Sequence, residues 1–527
     1  MNTELIVAGV LAAIAALMVL SHVLRIPYPI LLVVGGLGIG FVPGVPDLRL
    51  NPDLVLLIVL PPLLYAAAFF SSLRDLRANL RPIALLAIGL VLATMAVVAV
   101  VAHMAIAGMT WAAAFVLGAV VSPTDPVAST AIATRLGVPR RVVTVVEGES
   151  LINDGTALVL YATAVAAAVS GHFSLAQAGL RFVGGALAGV AIGLAVGWVI
   201  ARIRRPLENA QTEITISLLT AYFAYLPAQA LGVSGVLAAV TTGIYLGWRS
   251  PELISPATRM QAYAVWEVLQ FLLNSTLFVL IGLQLPHVLD ALGNRSASRL
   301  AGYAALIAAA VVLTRLVWVP ALTYLPKVIW RRVRERDPAG DWRNVALVSW
   351  NGMRGAVSLA AALALPSTID GGGPFPQRDL IIFLTYVVIL VTLVGQGLTL
   401  PPLIRLLGVE SDDDSVRREE SKARLKATGA ALARIDELAE EEWMREDTAE
   451  RMRAMYDYRQ RRFRARFDGD DDGAYEERSE RYQRAVREVI EAQRRVVVQL
   501  RNEGRINDDV MHRIERDLDL EWNRLEG

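Results

Sequence analysis

The side chains that could do chemistry are ionisable groups lying inside long apolar runs: Asp125, Glu147, Glu149, Asp154, Arg315 and Arg354. A charged group at bilayer depth costs about 2.5–3.5 kcal/mol on insertion scales, and such groups mark ion pathways and proton relays. Glu267 is another, read as near a helix start and within reach of the interface, so it weighs less. The densest set lies in 147–156. With an advance of about 100° per residue, Glu147, Ser150 and Asp154 fall on one line of a helix. Glu149, Asn153 and Thr156 fall on an adjoining strip. This polar half must face protein or water, not lipid. A hard cation such as Na+ takes oxygen ligands from carboxylates, hydroxyls and carbonyls. Asp154, Ser150, Asp125 and the backbone around Thr124 could supply them. A carboxylate out of water also holds its proton more tightly. One carboxylate that binds either a proton or a cation is the minimum machinery of exchange. The plainer alternative makes Asp154 a hydrogen-bonding partner of a neighbouring helix.

The elements that would position these groups are membrane helices. About 20 mostly apolar residues span a bilayer. Candidate spans lie near 4–23, 28–42, 52–70, 82–107, 110–135, 142–169, 176–201, 211–229, 233–248, 261–285, 299–325, 343–366 and 379–407, thirteen in all. Positive charge favours the cytoplasmic side. With the N-terminus outside, Arg25 and the arginine-rich loops at 74–81, 135–141, 202–205, 249–259 and 327–343 share one side. The other side holds only Arg49, Arg181, Arg295, Arg299 and Arg378. The C-terminus is then cytoplasmic.

Two spans are interrupted. Pro123 and Pro126 flank Asp125, and proline removes a backbone donor. Gly352 and Gly355 flank Arg354 and loosen the second helix. Freed backbone groups are tolerated at this depth only where protein or a wet cavity satisfies them. Paired interruptions in two halves of a chain point to a transporter's binding site. The first follows four spans and the second eleven, as two six-span repeats joined by the seventh span would place them.

Composition agrees with this layout. The 527 residues are 54% hydrophobic and 19% charged, against about 45–50% and about 25% in soluble domains. The charge is concentrated after Gly408, so the chain reads as a membrane domain, 1–408, and a charged, mostly helical cytoplasmic domain, 409–527. The net charge of +1 averages two unlike parts. There is no cysteine, hence no disulfide framework or thiolate metal site. The start, MNTEL, has no basic region of the kind that precedes a cleaved signal. In the tail, Asp412–Asp414 mark an acidic start, 468–473 reads as a loop, and Val486, Val489, Ile490 and Val497 recur at helical spacing.

GESLINDGTALVLY (Gly148–Tyr161), SPTDPVA (Ser122–Ala128) and GMRGAVSLA (Gly352–Ala360) stand in three separate spans, with LPPLLYAAAF (Leu60–Phe69) and GQGLTLPPLI (Gly395–Ile404) at either end. Together, over essentially all of 1–408, they resemble the monovalent cation/proton antiporter-1 family, the sodium/proton exchangers. The resemblance implies an all-α polytopic fold of about thirteen helices, NhaA-like inverted repeats, two crossed discontinuous helices and a homodimer with elevator-like motion. It implies that Asp154 exchanges cation and proton, with Asn153 beside it in place of a second charge, hence electroneutral exchange. Asp125, the Thr124 carbonyl and the Ser150 hydroxyl complete the Na+ ligands. Glu149 pairs with Arg315, and Arg354 offsets the carbonyl ends of the half-helices. Many members carry a carboxylate where this chain has Ala66, so one ligand oxygen is expected to be missing. The implied partners are Na+, or Li+ or K+, H+ and the bilayer, with no cofactor.

Two other functions suit two membrane aspartates less well. An intramembrane aspartyl hydrolase would need Asp125 and Asp154 to share a proton, but the usual glycine-x-glycine-aspartate element is absent. A regulated cation channel would need a filter, and none is recognisable. The histidines His22, His103, His172, His287 and His512 are scattered and suggest no metal site. Gly184, Gly185, Gly189, Gly193 and Gly197 recur as a helix-packing stripe. The arginines 459–466 among Tyr456, Tyr458, Phe463 and Phe467 suit a solvated or lipid-facing helix rather than nucleic acid.

Overall fold

Without water, a chain must satisfy its own backbone groups, and the α-helix does so locally. The computed structural model describes residues 3–24, 26–43, 50–207, 209–293, 295–329, 341–370, 372–409, 413–468 and 474–526. Arg25, Arg49, Arg331, Arg332, Arg334, Arg336, Asp412 and residues 469–473, all used above, lie outside the described residues. Helix covers most of each predicted segment. Among the described residues the only bridge is an isolated one between Thr368 and Pro374. The chain divides into two compact units, Met1–Ser411 and Asp412–Gly527.

In the first unit the principal helices are α1 Thr3–Leu24, α2 Tyr28–Gly40, α3 Pro52–Phe70, α4 Leu80–Ala105, α5 Trp111–Val121, α6 Val127–Arg135, α7 Arg140–Ser170, α8 Leu175–Arg204, α9 Ala210–Ala230, α10 Gly235–Leu253, α11 Pro256–Leu283, α12 Ala297–Ile329, α13 Trp342–Trp350, α14 Ala356–Leu363 and α15 Arg378–Leu407, with short helices at Leu73–Ala78 and Leu285–Asp290. Seven helices among the described residues are long and apolar enough to cross a membrane by length and composition; Leu11–Leu24, α2 and α5 are shorter apolar helices. The breaks fall where the sequence places them, between α5 and α6 and between α13 and α14.

The helices pack mainly in two groups. In one, α2 lies along α11, and α3, α8 and α9 lie on α10; in the other, α4 packs on α5 and α12, α7 on α5, and α14 on α15. Three of the five glycines of the stripe pack as expected, while a Cβ on Gly184 would meet nothing within 4 Å and one on Gly185 only the Ser234 amide nitrogen at 4.0 Å. A Cβ on Gly189, Gly193 or Gly197 would press on Ser234, on Ala238 and Thr241, or on Tyr245 of α10. Thr242 also donates to the Gly193 carbonyl at 2.8 Å.

Prolines inside helices are locally repaired. Pro61 and Pro62 of α3 cannot donate to the preceding turn, and the helix widens into a π turn at Val55–Val59. The Ile58 carbonyl, four residues before Pro62, instead accepts from the Tyr222 hydroxyl of α9 at 2.8 Å.

The second unit comprises α16 Asp413–Ala439, α17 Glu446–Asp468, α18 Ala474–Asn502 and α19 Asp508–Glu526. Helices α16 and α17 pair, as do α18 and α19. Ile490 and Val497 are buried as the spacing suggests, but Val489 is exposed. Phe463 is buried under Arg424 rather than displayed.

Candidate functional site

The first break is held open by polar groups standing in for the lost helix bonds. Pro123 has no amide proton for the Ala119 carbonyl, and the Ser122 hydroxyl donates to it instead, at 2.9 Å. The Asp125 carboxylate accepts from the Val127 amide at 2.9 Å and so starts α6. The Asp125 amide itself donates to the Met353 carbonyl in the second break, at 2.8 Å. The two breaks are therefore joined through main-chain atoms. This approach needs Gly355, because a Cβ there would collide with the Asp125 carboxylate.

Helix α7 packs its polar half onto the first break. Ser150 donates to the Thr124 carbonyl at 2.9 Å, and Asn153 donates through Nδ2 to the Thr124 hydroxyl at 2.8 Å. That hydroxyl donates in turn to Glu149 at 3.2 Å. The Asn153 Oδ1 is buried, with no hydrogen-bond partner among the described residues. Glu149 and Arg315 form the expected pair, in bidentate geometry at 2.5 and 2.8 Å, each only 1% exposed. Arg315 also donates to the Val348 carbonyl at 3.0 Å. Arg354 sits at the crossing. Its Nε donates to the carbonyl of Val121, the last residue of α5, at 3.0 Å, and its Nη1 to Gly352. Its amide donates to Thr392 at 3.1 Å. A cation on the free carbonyl end of a half-helix compensates the partial negative charge there.

Beside this framework lies a cavity of about 310 Å³ between the two helix groups. Asp125, Asp154, Ser150, Thr124, Glu147, Thr130 and Ser358 line one wall; Leu64, Ala67, Phe70 and Ser71 of the α3 segment and Gln270, Asn274 and Leu277 of α11 line the other. Asp154 is 8% exposed, and among the described residues no hydrogen bond or ion pair occupies its carboxylate. That removes the observation the plainer alternative needs. A cavity lined by two aspartates, Ser150 and Thr124 has the oxygen chemistry for a hard cation.

Several residues depart from the sequence reading. Gln270 and Asn274 were not foreseen; their signal was two amides at i, i+4 spacing in an apolar run. Ala66 does not line the cavity: it is buried in an apolar cluster with Tyr65, Phe69 and Trp266, and Ala67 faces the cavity instead. A carboxylate at position 66 would start from that apolar wall. Glu267 lies well inside α11 and is exposed, not at a helix start. Arg204, counted above with the loops, ends α8 in a buried position 3.6 Å from Glu213 of α9. Glu213 also accepts from Thr258 at 3.1 Å.

The profile of the sodium/hydrogen exchanger transmembrane family matches residues 9–406. An uncharacterised Na+/H+ exchanger of Mycobacterium tuberculosis is 38% identical over 526 residues, covering 99% of this chain and 96% of the relative. The sodium, potassium, lithium and rubidium/H+ antiporter of Bacillus subtilis is 34% identical over 415 residues, covering 76% of this chain and 62% of the relative. The sodium proton antiporter MjNhaP1 of Methanocaldococcus jannaschii has the same fold, with a TM-score of 0.60 at 18% identity over 77% of this chain and all of that one. The chain thus belongs to the sodium/hydrogen exchanger family, and is a multi-pass membrane antiporter rather than an enzyme.

Proposed function

We propose that this protein exchanges Na+ for H+ one for one across a bacterial plasma membrane, with Asp154 as the group that both ions share. The observation that carries this reading is the Asp154 carboxylate, unpaired among the described residues, in the lining of the cavity with Asp125 of the first break. Na+ binds Asp154, Asp125, the Ser150 hydroxyl and the Thr124 carbonyl; a proton on Asp154 removes the charge that holds it. The two ions therefore compete, and a carrier that moves only when Asp154 is neutralised exchanges them without leak. Asn153 orders Thr124 and adds no charge. Glu149 with Arg315 fixes α7 against α12, and Arg354 neutralises the open end of α5. The relative from B. subtilis, named for four alkali cations, supports Li+ and K+ as further substrates.

The wider reading is thirteen crossings with the N-terminus outside and the C-terminus cytoplasmic, a homodimer, and no cofactor beyond the transported ions. The group carrying the breaks slides against the other, elevator fashion, in the service of pH and sodium homeostasis. Phe70, Ser71, Thr130 and Glu147 of the cavity lining stand toward those parts of α3, α6 and α7 that join the arginine-rich loops, which supports an inward-facing state.

Asp154→Asn is expected to abolish Na+-driven proton movement in proteoliposomes while the protein inserts and purifies normally. Retained wild-type exchange in that variant would sink the proposal.

A further inference from the structure

Glu147 takes no part in the mechanism above. It stands seven residues before Asp154 on the same line of α7, about 10 Å along the axis at 1.5 Å per residue. Its side chain lines the same cavity, and among the described residues it has neither a hydrogen bond nor an ion pair. Cations about two turns away on the same helix would be expected to claim it. Instead Arg140 pairs with Asp75 at 3.6 Å, and Arg141 donates to Asn79 at 3.2 Å. These two arginines are thus turned to the segment after α3, and among the described residues no cation pairs with Glu147 at the cavity. Ser150 lies between it and Asp154. A cleft carrying one sign of charge between low-dielectric walls raises the local concentration of counter-ions.

We propose that Glu147 is a staging carboxylate: it gathers the incoming cation from the arginine-rich face and passes it along the α7 line to Asp154. This rests on Asp154 being the exchange site, but the two fail differently. Asp154→Asn tests for any exchange at all, whereas Glu147→Gln tests how readily the cation arrives.

The experiment is Na+-driven proton flux in proteoliposomes of defined orientation, at two ionic strengths set with choline chloride. Glu147→Gln should raise the KM for Na+ supplied from the arginine-rich face by about three- to tenfold at low ionic strength. That is the size expected for one charge about 10 Å away in partly wet surroundings. The maximal rate should fall less than about threefold, and the KM effect should shrink in high salt. Glu147→Asp should restore the wild-type KM, and Na+ from the opposite face should be unaffected. An unchanged KM from the arginine-rich face overturns the proposal, as does an equal rise from both faces that ignores salt. Should Glu147→Gln fail to fold, Thr130→Asp adds charge to the same cavity near the start of α6, where a carboxylate suits the helix dipole. It should lower the KM, and no change would count equally against the idea.

Discussion

Glu149 and Arg315 are each buried, and each satisfies the other through two bonds. Removing one partner of such a pair leaves an uncompensated charge inside the protein, at a cost of about 3–5 kcal/mol. Glu149→Gln is therefore expected to lower the thermal unfolding midpoint markedly in detergent and to shift the Na+ KM of the surviving protein little. A normal midpoint with a large KM shift would reassign Glu149 to the ion itself. At this scale the sequence was informative wherever a polar residue had one chemical use. Asp125, Ser150, Asn153 and Asp154 announce themselves because water-starved surroundings tolerate them only with a purpose. Gln270 and Asn274 did not, because an amide in an apolar run is equally at home bonding its own helix.

The breaks are elements in their own right, and they were legible for a local reason: proline and glycine act on the turn in which they stand. What they touch was not legible. That Gly355 must be glycine follows from the Asp125 carboxylate opposite it, more than two hundred residues earlier in the chain. Gly355→Ala should part the crossing and cut exchange by at least about tenfold. That estimate follows from the sensitivity of oriented sites to displacements near 1 Å. Gly184→Ala is the control, since a Cβ there meets nothing within 4 Å. Flux and insertion measured side by side for the two variants test this, and equal behaviour would mean the crossing is looser than described. Which alanine of α3 lines the cavity was not legible for a related reason. Its run LPPLLYAAAF is apolar on every side, so periodicity cannot say which alanine meets the cavity and which meets Trp266. The same limit placed Glu267 at a helix start and Arg204 in a loop, because helix ends depend on caps and partners outside the apolar run.

For the molecule as a whole, formal charge decides what a voltage can do. Glu149 cancels Arg315, and Asp125 and Arg354 stand at one crossing with opposite charge, leaving Asp154 to be neutralised by Na+ or by H+. The charge on the moving part, Glu147 included, is then the same in both directions, and a full cycle transfers none. Had one charge crossed unpaired, 100 mV would contribute about 2.3 kcal/mol, roughly fiftyfold in an equilibrium ratio. Flux under an imposed potential of either sign is expected to match flux at zero potential, and a clear dependence on that potential would refute electroneutral exchange.

The bond from the Asp125 amide to the Met353 carbonyl belongs to the main chain and is indifferent to side-chain identity, glycine at 355 aside. Substitutions around the cavity can therefore retune which alkali ion is preferred without severing the tie between the broken helices. Preference and motion can diverge independently in descendants of this chain, since one is written in replaceable oxygens and the other in the peptide backbone.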